Sequence, residues 1–528
     1  MIKKKFEVFC LAATLFFALV LFSACDNGGS SPPFIPLSYT QTVHLENQSL
    51  YLVKVNRSNN TVGYNNVGRA SSVYGAAGVS AVPLDLSASA VPDGEASFRR
   101  DYEPAARFNS NPPPVPPERP SRRGLLRSSP GLGTGRQFWV DDTSGNFSQI
   151  QATLKAQSDH ANVWVANTRF DNSSPNNTDG KINQTQAAAI ATKFDEIYGH
   201  VTNVFGYEYG AAYGQTLGGI DGDERIQILI YDIDLDGVKG GTVGYFWSKD
   251  HYTDAELIAS GNGDLESNEG EIFYIDSWWT DESPGVAWST LVHEFQHMVH
   301  FNEKFVRNGK NSQTWYNEML SMLAEDMISP KIGVSGGDLP AGRLPVFITY
   351  YPEGVTEWFD GGNALISYAN AYAFGAYLAR NFGGEALVRA MAANKAVNKD
   401  SVSLALASAS PVSDVKNFDG ALRRFAEVLL YNNTSGARCS LNKTVPGTFS
   451  FNGIDIMALA NSNPYPSGVV LNTGGTGPLV FSLGYLISMA PNSVIVQSCP
   501  EWQNVSGDVT VTFIAPTSPY VEQYLLVR

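Results

Sequence analysis

The stretch His293-Glu294-Phe295-Gln296-His297 combines two histidines and a glutamate at a spacing suited to metal chemistry. On a helix, residues at i and i+4 project from one face about one turn apart, so His293 and His297 can hold one Zn²⁺ through imidazole nitrogens. Glu294 would flank the same ion, where its carboxylate can take a proton from water acidified by the metal and pass it to a leaving amine. The pattern therefore predicts the active site of a zinc peptidase.

The flanking sequence favours a helix around this motif. Ser283-Pro284 supplies a cap residue followed by a proline suited to a first turn, and Leu291, Phe295 and Met298 recur at helical spacing. The alternative is a solvent-facing helix that happens to carry two histidines. It is the weaker reading, because three of the seven histidines in the chain fall within eight residues here. The third of these, His300, is assigned no role.

A catalytic zinc site usually has three protein ligands, so one more side chain is needed. A second helical pattern covers residues 315–328, and a turn containing Gly309 allows the two helices to converge on one ion. On that second helix Glu318 lies twenty-one residues after His297, and Glu325 projects from nearly the same face. Spacing alone leaves both glutamates eligible.

Residues 286–326 resemble part of a known peptidase family. Asn317-Glu318-x-x-Ser321 is similar to the helix that supplies a glutamate as third ligand in thermolysin-like, or gluzincin, peptidases. The whole stretch most resembles the hyicolysin family of secreted bacterial metallopeptidases. The resemblance implies that Glu318 completes a site for one Zn²⁺ per chain. Glu325 would lie two turns, or roughly 10 Å, farther along the helix axis, too far to bind the same ion.

The thermolysin-like pattern continues with an aspartate that orients the first histidine, and Met322 stands at that position here. Histidines that bind a metal usually donate their other ring N–H to such a group, so another carboxylate should take its place. Glu325 and Asp326 are both predicted candidates for this hydrogen bond.

Thermolysin-like enzymes also use a later histidine to stabilise the oxyanion, but no histidine follows His300 in this chain. Tyr368 and Tyr372, four residues apart in a predicted helix, are the hypothesised replacements. A phenol can donate a hydrogen bond to negative charge that develops in the transition state. The alternative for both tyrosines is packing in the core.

The N-terminus has the features of a bacterial secretory signal. Three lysines at positions 3–5 precede an apolar run over residues 8–22, which is short for a membrane span. Ser23-Ala24-Cys25 resembles a lipoprotein cleavage box, although Phe22 stands where leucine is more usual. We therefore expect a signal peptide over residues 1–24 and a lipid anchor on Cys25, on the periplasmic or cell-surface side of the membrane. An ordinary signal peptidase site is the alternative.

Composition changes along the chain predict several further segments. Residues 25–37 are a tether rich in Gly, Ser and Pro, and residues 38–97 form a small β-rich domain. Residues 98–135 form a Pro- and Arg-rich linker, read as a spacer, with a propeptide over residues 26–135 as the alternative. Residues 439–528 are a β-rich C-terminal domain of accessory or stabilising role.

Residues 136–438 are predicted to form the catalytic domain, of α+β class. Strands are predicted at 137–141, 161–165, 226–231, 242–247 and 271–276. Helices are predicted at 184–203, 363–382, 385–393 and 414–431 in addition to the two that carry the motif. The order resembles a zincin, with a sheet lobe and its active-site helix before a helical lobe. That resemblance implies an edge strand that binds the substrate backbone, for which residues 244–247 and 271–274 are both eligible.

Two further sets of side chains are candidates for a Ca²⁺ site and for a disulfide. Asp232, Asp234 and Asp236 precede a glycine as in the start of a Ca²⁺ loop, but Val243 stands where a glutamate is expected. A solvated acidic turn is the slightly better reading of this segment.

Cys439 and Cys499 are the only cysteines outside the predicted signal and its cleavage box, and in an oxidising compartment we expect them to form a disulfide.

The 528-residue chain is 43% hydrophobic and carries a net charge of −15. This composition is ordinary for a globular protein of two or three domains. The charge argues against nucleic acid and against anionic membrane surfaces as partners, and nothing indicates an oligomeric state.

The leading hypothesis is an exported, lipid-anchored zinc endopeptidase that acts on proteins or peptides. The alternative is a catalytically idle peptidase-like surface protein that serves as an adhesin or ligand-binding lipoprotein.

Overall fold

The computed structural model describes residues 38–72, 82–84, 129–142, 146–174, 179–212, 215–216, 218–359, 363–432 and 438–528. The predicted signal peptide, Cys25, the tether and most of the Pro- and Arg-rich linker lie outside these residues. Within the described ranges, no helix combines the length and apolar character needed to cross a bilayer.

The described residues form a mixed structure of strands and helices, in agreement with the α+β prediction. Strands β1 to β17 are, in chain order, Ser38–Gln48, Leu50–Asn56, Arg69–Ser72, Val82–Leu84, Gly135–Asp141, Phe147–Gln157, Ala161–Ala166, Ala211–Ala212, Gln215–Thr216, Ile226–Tyr231, Gly244–Phe246, Ile272–Asp276, Phe481–Ser482, Tyr485–Ile487, Ser493–Ser498, Val505–Ile514 and Val521–Val527. Helices α1 to α10 are Gln184–Phe205, Asp254–Ala259, Ser277–Glu282, Pro284–His300, Thr314–Ile328, Leu344–Tyr350, Ala364–Phe382, Gly384–Ala393, Lys399–Ala409 and Phe418–Val428.

The strands and helices predicted between residues 136 and 431 are all present, with ends shifted by a few residues. The sequence analysis predicts none of strands β6, β8 and β9 or helices α2, α3, α6 and α9. The sequence of β6 is largely polar, and buried residues alternate only in its second half. Helix α9 is rich in serine and alanine. Neither sequence has the strong apolar periodicity on which such predictions depend.

A six-stranded sheet has the order β11-β12-β10-β7-β6-β5. Strands β12, β10 and β7 are parallel, whereas β11, β6 and β5 run antiparallel to their neighbours. Every residue of β7 and β10 is buried, as expected for strands covered on both faces. The sheet order places β11 at one edge and β12 in the interior. Of the two segments eligible as the edge strand, Gly244–Phe246 is therefore the one at an edge.

Helix α1 packs against the sheet and against helix α4. It begins at a capping box, in which the Asn183 side chain accepts from Gln186 N and the Gln186 side chain accepts from Asn183 N. It ends at Gly206, whose φ of 107° is a conformation that few other residues adopt. The buried face of α1 includes Phe194, which lies in edge contact with Phe295 of α4 at 5.1 Å between ring centroids.

Helices α4, α5 and α7 pack side by side after the sheet. Helix α4 continues into a π-helical turn, Phe301–Val306, before the chain reverses into α5. The close contact between α5 and α7 depends on Gly375, where a Cβ atom would lie 2.6 Å from Met319 Cγ. This packing holds α5 firmly between α4 and α7.

The β-rich segments at the two ends of the described chain share the same sheets. Strand β1 pairs with β16, and β2 lies between β15 and β17. The large hydrophobic cluster that contains helices α1, α4, α5 and α7 also continues into β2 and β15. The prediction of two separate β-rich domains, 38–97 and 439–528, is therefore wrong. Pairing between residues more than 400 positions apart leaves no local signal in a sequence.

The predicted disulfide between Cys439 and Cys499 is also wrong, because both side chains are free thiols. Cys439 is buried in the large hydrophobic cluster, with its backbone N–H donating to Glu427 Oε2 at 2.6 Å. Cys499 packs against a different, smaller cluster built from β1, β2, β16 and Trp502. The two side chains belong to different cores, and burial raises the pKa of both thiols to about 12.

Candidate metal centre

Helix α4 presents the two motif histidines inside the protein. Pro284 occupies the first helical turn, where its missing N–H costs no hydrogen bond. Ser283 precedes it at the cap position, but its hydroxyl accepts from Lys239 Nζ at 2.8 Å and makes no capping bond. Leu291 and Phe295 lie in the core as predicted, while His293 and His297 face α5.

Helix α5 meets this face with three polar side chains from successive turns, Glu318, Ser321 and Glu325. The two helices run antiparallel, since Ser289 near the start of α4 contacts Glu325 and His297 near its end contacts Glu318. The spacing of i, i+3 and i+7 puts the three α5 residues on one side of the helix. Two antiparallel helices thus enclose a polar cluster within an apolar core.

The ligand atoms of His293, His297 and Glu318 all lie within 4.8 Å of one another. Glu318 Oε2 is 3.0 Å from His293 Nε2, and Glu318 Oε1 is 3.2 Å from His297 Nε2. All three side chains are buried. In the described part of the chain, this is the one group of three such side chains whose ligand atoms meet so closely.

These donors fit a divalent transition metal. Two imidazole nitrogens and one carboxylate, converging from two helices, are the ligand set of catalytic zinc sites of the His₂Glu type. Burial lowers the pKa of His293, but the Glu318 and Glu325 carboxylates raise it more, to a net value of about 9. These carboxylates stabilise the positive charge of a protonated imidazole, and they would also stabilise a metal cation bound in place of the proton.

Glu325 contacts the other nitrogen of the first histidine. Its Oε1 atom lies 2.8 Å from His293 Nδ1, and its Oε2 atom accepts from Ser289 Oγ at 2.5 Å. A carboxylate at Nδ1 favours the tautomer that carries the proton there, which leaves the Nε2 lone pair directed at the metal position. Of the two carboxylates predicted for this role, Glu325 is the one in contact.

Asp326 takes part in a different interaction. Its carboxylate forms two hydrogen bonds with Arg380, at 2.7 Å and 3.1 Å, and accepts a third from the Tyr372 hydroxyl at 3.2 Å. Helix geometry explains the difference, since residues 325 and 326 are about 100° apart around α5. Asp326 therefore faces α7, whereas Glu325 faces α4.

The two tyrosines proposed as oxyanion donors make different contacts. Burial and the Asp326 carboxylate raise the pKa of Tyr372 well above its usual value, and its hydroxyl proton is directed at Asp326. This placement favours the packing alternative for Tyr372. Tyr368 is also buried, with its ring 4.9 Å from Trp358 and 4.8 Å from the Arg343 guanidinium carbon.

The second histidine has a partner that the sequence analysis did not assign. Ser321 Oγ lies 3.0 Å from His297 Nδ1 and donates to the side-chain oxygen of Gln296. The sequence could have indicated this contact, because residues 318, 321 and 325 share one face of a helix. Glu294, which adjoins His293 in the sequence, is buried, with 3% of its surface exposed.

The acidic segment considered as a Ca²⁺ loop forms a hydrogen-bonded turn. Asp232 is paired with Arg169 and accepts from Gly237 N at 3.0 Å. Asp234 accepts from the backbone N–H of residue 242 at 3.2 Å, and Asp236 from that of residue 238 at 2.9 Å. These contacts agree with an acidic turn, although Asp232 is buried rather than solvated. The pairing of Asp232 with Arg169 neutralises charge that Ca²⁺ would need.

Comparison with known proteins agrees with this geometry. Residues 142–465, more than half of the chain, match the family described as Peptidase M30. The chain belongs to the Peptidase M30 family. The matched region contains all three predicted ligands, and it confirms the resemblance to hyicolysin-type metallopeptidases drawn from the motif.

A curated relative within this similarity is the neutral metalloprotease ShpI of Staphylococcus hyicus. The two chains are 28% identical over 281 residues, which cover 49% of this chain and 55% of ShpI. The chain therefore spans about half the length of the relative that it matches.

Proposed function

We propose that this chain is a zinc-dependent endopeptidase that hydrolyses peptide bonds in proteins or peptides. The observation that carries the proposal is the buried convergence of His293, His297 and Glu318 within a Peptidase M30 region. Three protein ligands leave a coordination position open, which is the arrangement of catalytic rather than structural zinc sites. Bound zinc would supply Lewis acidity and lower the pKa of a water molecule at that position.

Glu294 is the proposed general base. It adjoins His293 on α4, so its backbone is held by the same rigid helix that holds two ligands. In this role its carboxylate takes a proton from the attacking water and then gives it to the leaving amine.

Strand β11 is proposed to bind the substrate backbone by strand addition, in a zincin-like arrangement of the two lobes. It lies at an edge of the six-stranded sheet and packs closely on the metal-binding helix. A Cβ atom at Gly244 would lie 2.6 Å from Thr290 Cγ2, less than one turn of helix before His293. A peptide paired with this strand would therefore pass near the histidines.

We also propose that the protein is exported and held at the membrane by a lipid on Cys25. The support is the charged start, the apolar run and the Ser23-Ala24-Cys25 box. Labelling of expressed protein with a radioactive or clickable fatty acid, compared between wild type and Cys25→Ser, tests this part independently of catalysis.

The catalytic proposal is tested by incubating the purified protein with a peptide library made from a digested proteome. Mass spectrometry should identify new termini that disappear on chelation with 1,10-phenanthroline and return when zinc is restored. Glu294→Gln serves as the matched inactive control. A wild-type protein that binds zinc but produces no new termini would contradict the proposal and favour the idle surface-protein alternative.

A further inference from the structure

Ser321 and Gln296 form a buried polar pair beside the second histidine. Ser321 Oγ lies 3.0 Å from His297 Nδ1, donates to Gln296 Oε1 and is 3.3 Å from the backbone oxygen of Asn317. Ser321 has no exposed surface and Gln296 is 1% exposed. Buried polar groups are retained in a core only where hydrogen bonds compensate their lost hydration.

The two acceptors around Ser321 indicate the direction of its hydroxyl proton. A serine hydroxyl has one proton, and the oxygens of Gln296 and Asn317 can only accept it. The hydroxyl proton is therefore directed away from the imidazole, and the oxygen lone pair that remains faces His297 Nδ1. That contact is a hydrogen bond only if Nδ1 carries the proton. Nε2 is then the unprotonated nitrogen, and it is the atom that faces Glu318.

The motif itself gives no reason for glutamine at position 296. The neighbouring Phe295 serves the core, where it contacts Phe194 and Tyr198. Gln296 instead places its side-chain oxygen against Ser321 on the facing helix. Together with the Asn317 backbone oxygen, it gives the hydroxyl proton an acceptor on the side away from His297.

The two histidines are oriented by different chemistry. His293 has the Glu325 carboxylate at Nδ1, whereas His297 has a neutral hydroxyl and amide in the corresponding place. Glu294, Glu318 and Glu325 already contribute three carboxylates to this buried region. A neutral pair at His297 orients the ring without a fourth negative charge, whose burial would cost further desolvation.

We propose that Ser321, held by Gln296, is a positioning residue that selects the His297 tautomer and so sets the affinity of the site for its metal. The inference rests on the proposed zinc site and concerns how this chain presents one ligand to it. Partners of metal-binding histidines typically change metal affinity by about 10–100-fold when removed. Ser321 acts only through His297.

Zinc affinity of the full chain, measured by competition with a chromogenic chelator, tests the proposal without reference to activity. Ser321→Ala removes the hydroxyl and should weaken Zn²⁺ binding by about 10–100-fold. Ser321→Thr keeps a hydroxyl and should restore affinity to within a few-fold of wild type. Gln296→Leu should also weaken binding, because only the longer contact to the Asn317 oxygen, at 3.3 Å, then competes with Nδ1 for the hydroxyl proton.

Ser498→Ala is the matched control, since Ser498 is another fully buried serine whose hydroxyl donates to the backbone oxygen of Leu50 in the β-rich region. It should lower thermal stability of the metal-free protein as Ser321→Ala does, but leave zinc affinity unchanged. Equal zinc affinity in Ser321→Ala and wild type would overturn the positioning role alone. A wild-type chain that binds no zinc would overturn both this role and the proposed function.

Discussion

The carboxylates of Glu318 and Glu325 lie on opposite sides of the His293 imidazole ring. Glu318 Oε2 is 3.0 Å from Nε2, and Glu325 Oε1 is 2.8 Å from Nδ1. Helix α5 therefore supplies both the carboxylate at Nε2, which is the proposed metal-binding nitrogen, and the carboxylate at Nδ1. The proposed roles of the two glutamates differ because Glu318 meets the Nε2 atoms of both histidines, whereas Glu325 meets Nδ1 of His293.

Replacement of these two glutamates should have unequal effects on metal binding. Glu318→Ala removes a ligand and should abolish stoichiometric zinc binding. Glu325→Ala leaves the ligands in place and should weaken affinity by about 10–100-fold, the usual effect of removing a group that orients a ligand. Zinc titration of the two variants checks the order. The assignment is mistaken if Glu325→Ala loses the metal and Glu318→Ala retains it.

Glu294→Gln should abolish peptide hydrolysis while zinc remains bound. The amide has nearly the shape of the carboxylate but cannot accept a proton from the attacking water. Metal analysis of the purified variant, together with turnover of a fluorogenic peptide, provides both measurements. Retained turnover would remove Glu294 from the mechanism, and loss of zinc would show that its effect is on the site rather than on the proton transfer.

The two tyrosines of α7 should respond differently to loss of their hydroxyl groups. Tyr372→Phe removes a hydrogen bond to Asp326 and should lower the free energy of unfolding by about 0.5–1.5 kcal/mol with little change in turnover. If Tyr368 is the oxyanion donor, Tyr368→Phe should reduce kcat by about 100–1000-fold with KM nearly unchanged. Wild-type kcat in both variants would leave core packing as the role of both residues.

Gly375→Ala should destabilise the protein by about 1–3 kcal/mol, because the added methyl group overpacks the contact between α5 and α7. The new Cβ atom would lie 2.6 Å from Met319 Cγ. Gly199→Ala is the matched control on α1, where a Cβ atom has no other atom within 4 Å. That substitution should stabilise the helix by about 0.5–1 kcal/mol. Urea unfolding of both variants measures the difference.

Glu208 should make the free energy of unfolding depend on pH. Burial raises the pKa of its carboxyl group to about 7, compared with about 4.3 in an unfolded chain. The folded state favours the protonated form, so the contribution to stability is complete below about pH 4.3 and is lost as pH rises through about 7. Burial raises the pKa of Asp221 to about 7 as well, so that group acts in the same direction.

Glu208→Gln should therefore reduce the fall in stability between about pH 5 and pH 8. The measurement is urea unfolding of metal-free protein, because zinc release would otherwise contribute its own pH dependence. Glu196→Gln, on the solvent side of α1, is the control and should follow the wild-type curve. An unchanged pH dependence in Glu208→Gln would contradict the assignment.

Sequence alone determined the elements of the site that depend on local spacing. Residues at i and i+4 share a helix face whatever surrounds them, so His293 and His297 could be paired before any fold was known. The same rule placed Glu318 and Glu325 on one face of the next helix. Apolar periodicity likewise predicted helix α1 and strands such as β10 nearly to their ends.

Only the tertiary structure decided which side chains meet across different elements. It selected Glu325 over Asp326 at His293, placed Ser321 at His297 and put Gly244–Phe246 at the sheet edge. It also joined β1 and β2 to strands near the C-terminus and left Cys439 and Cys499 apart. These outcomes depend on helix crossings and on strand pairing over hundreds of residues, where the free energy of packing is shared among many contacts and no short segment of sequence records it.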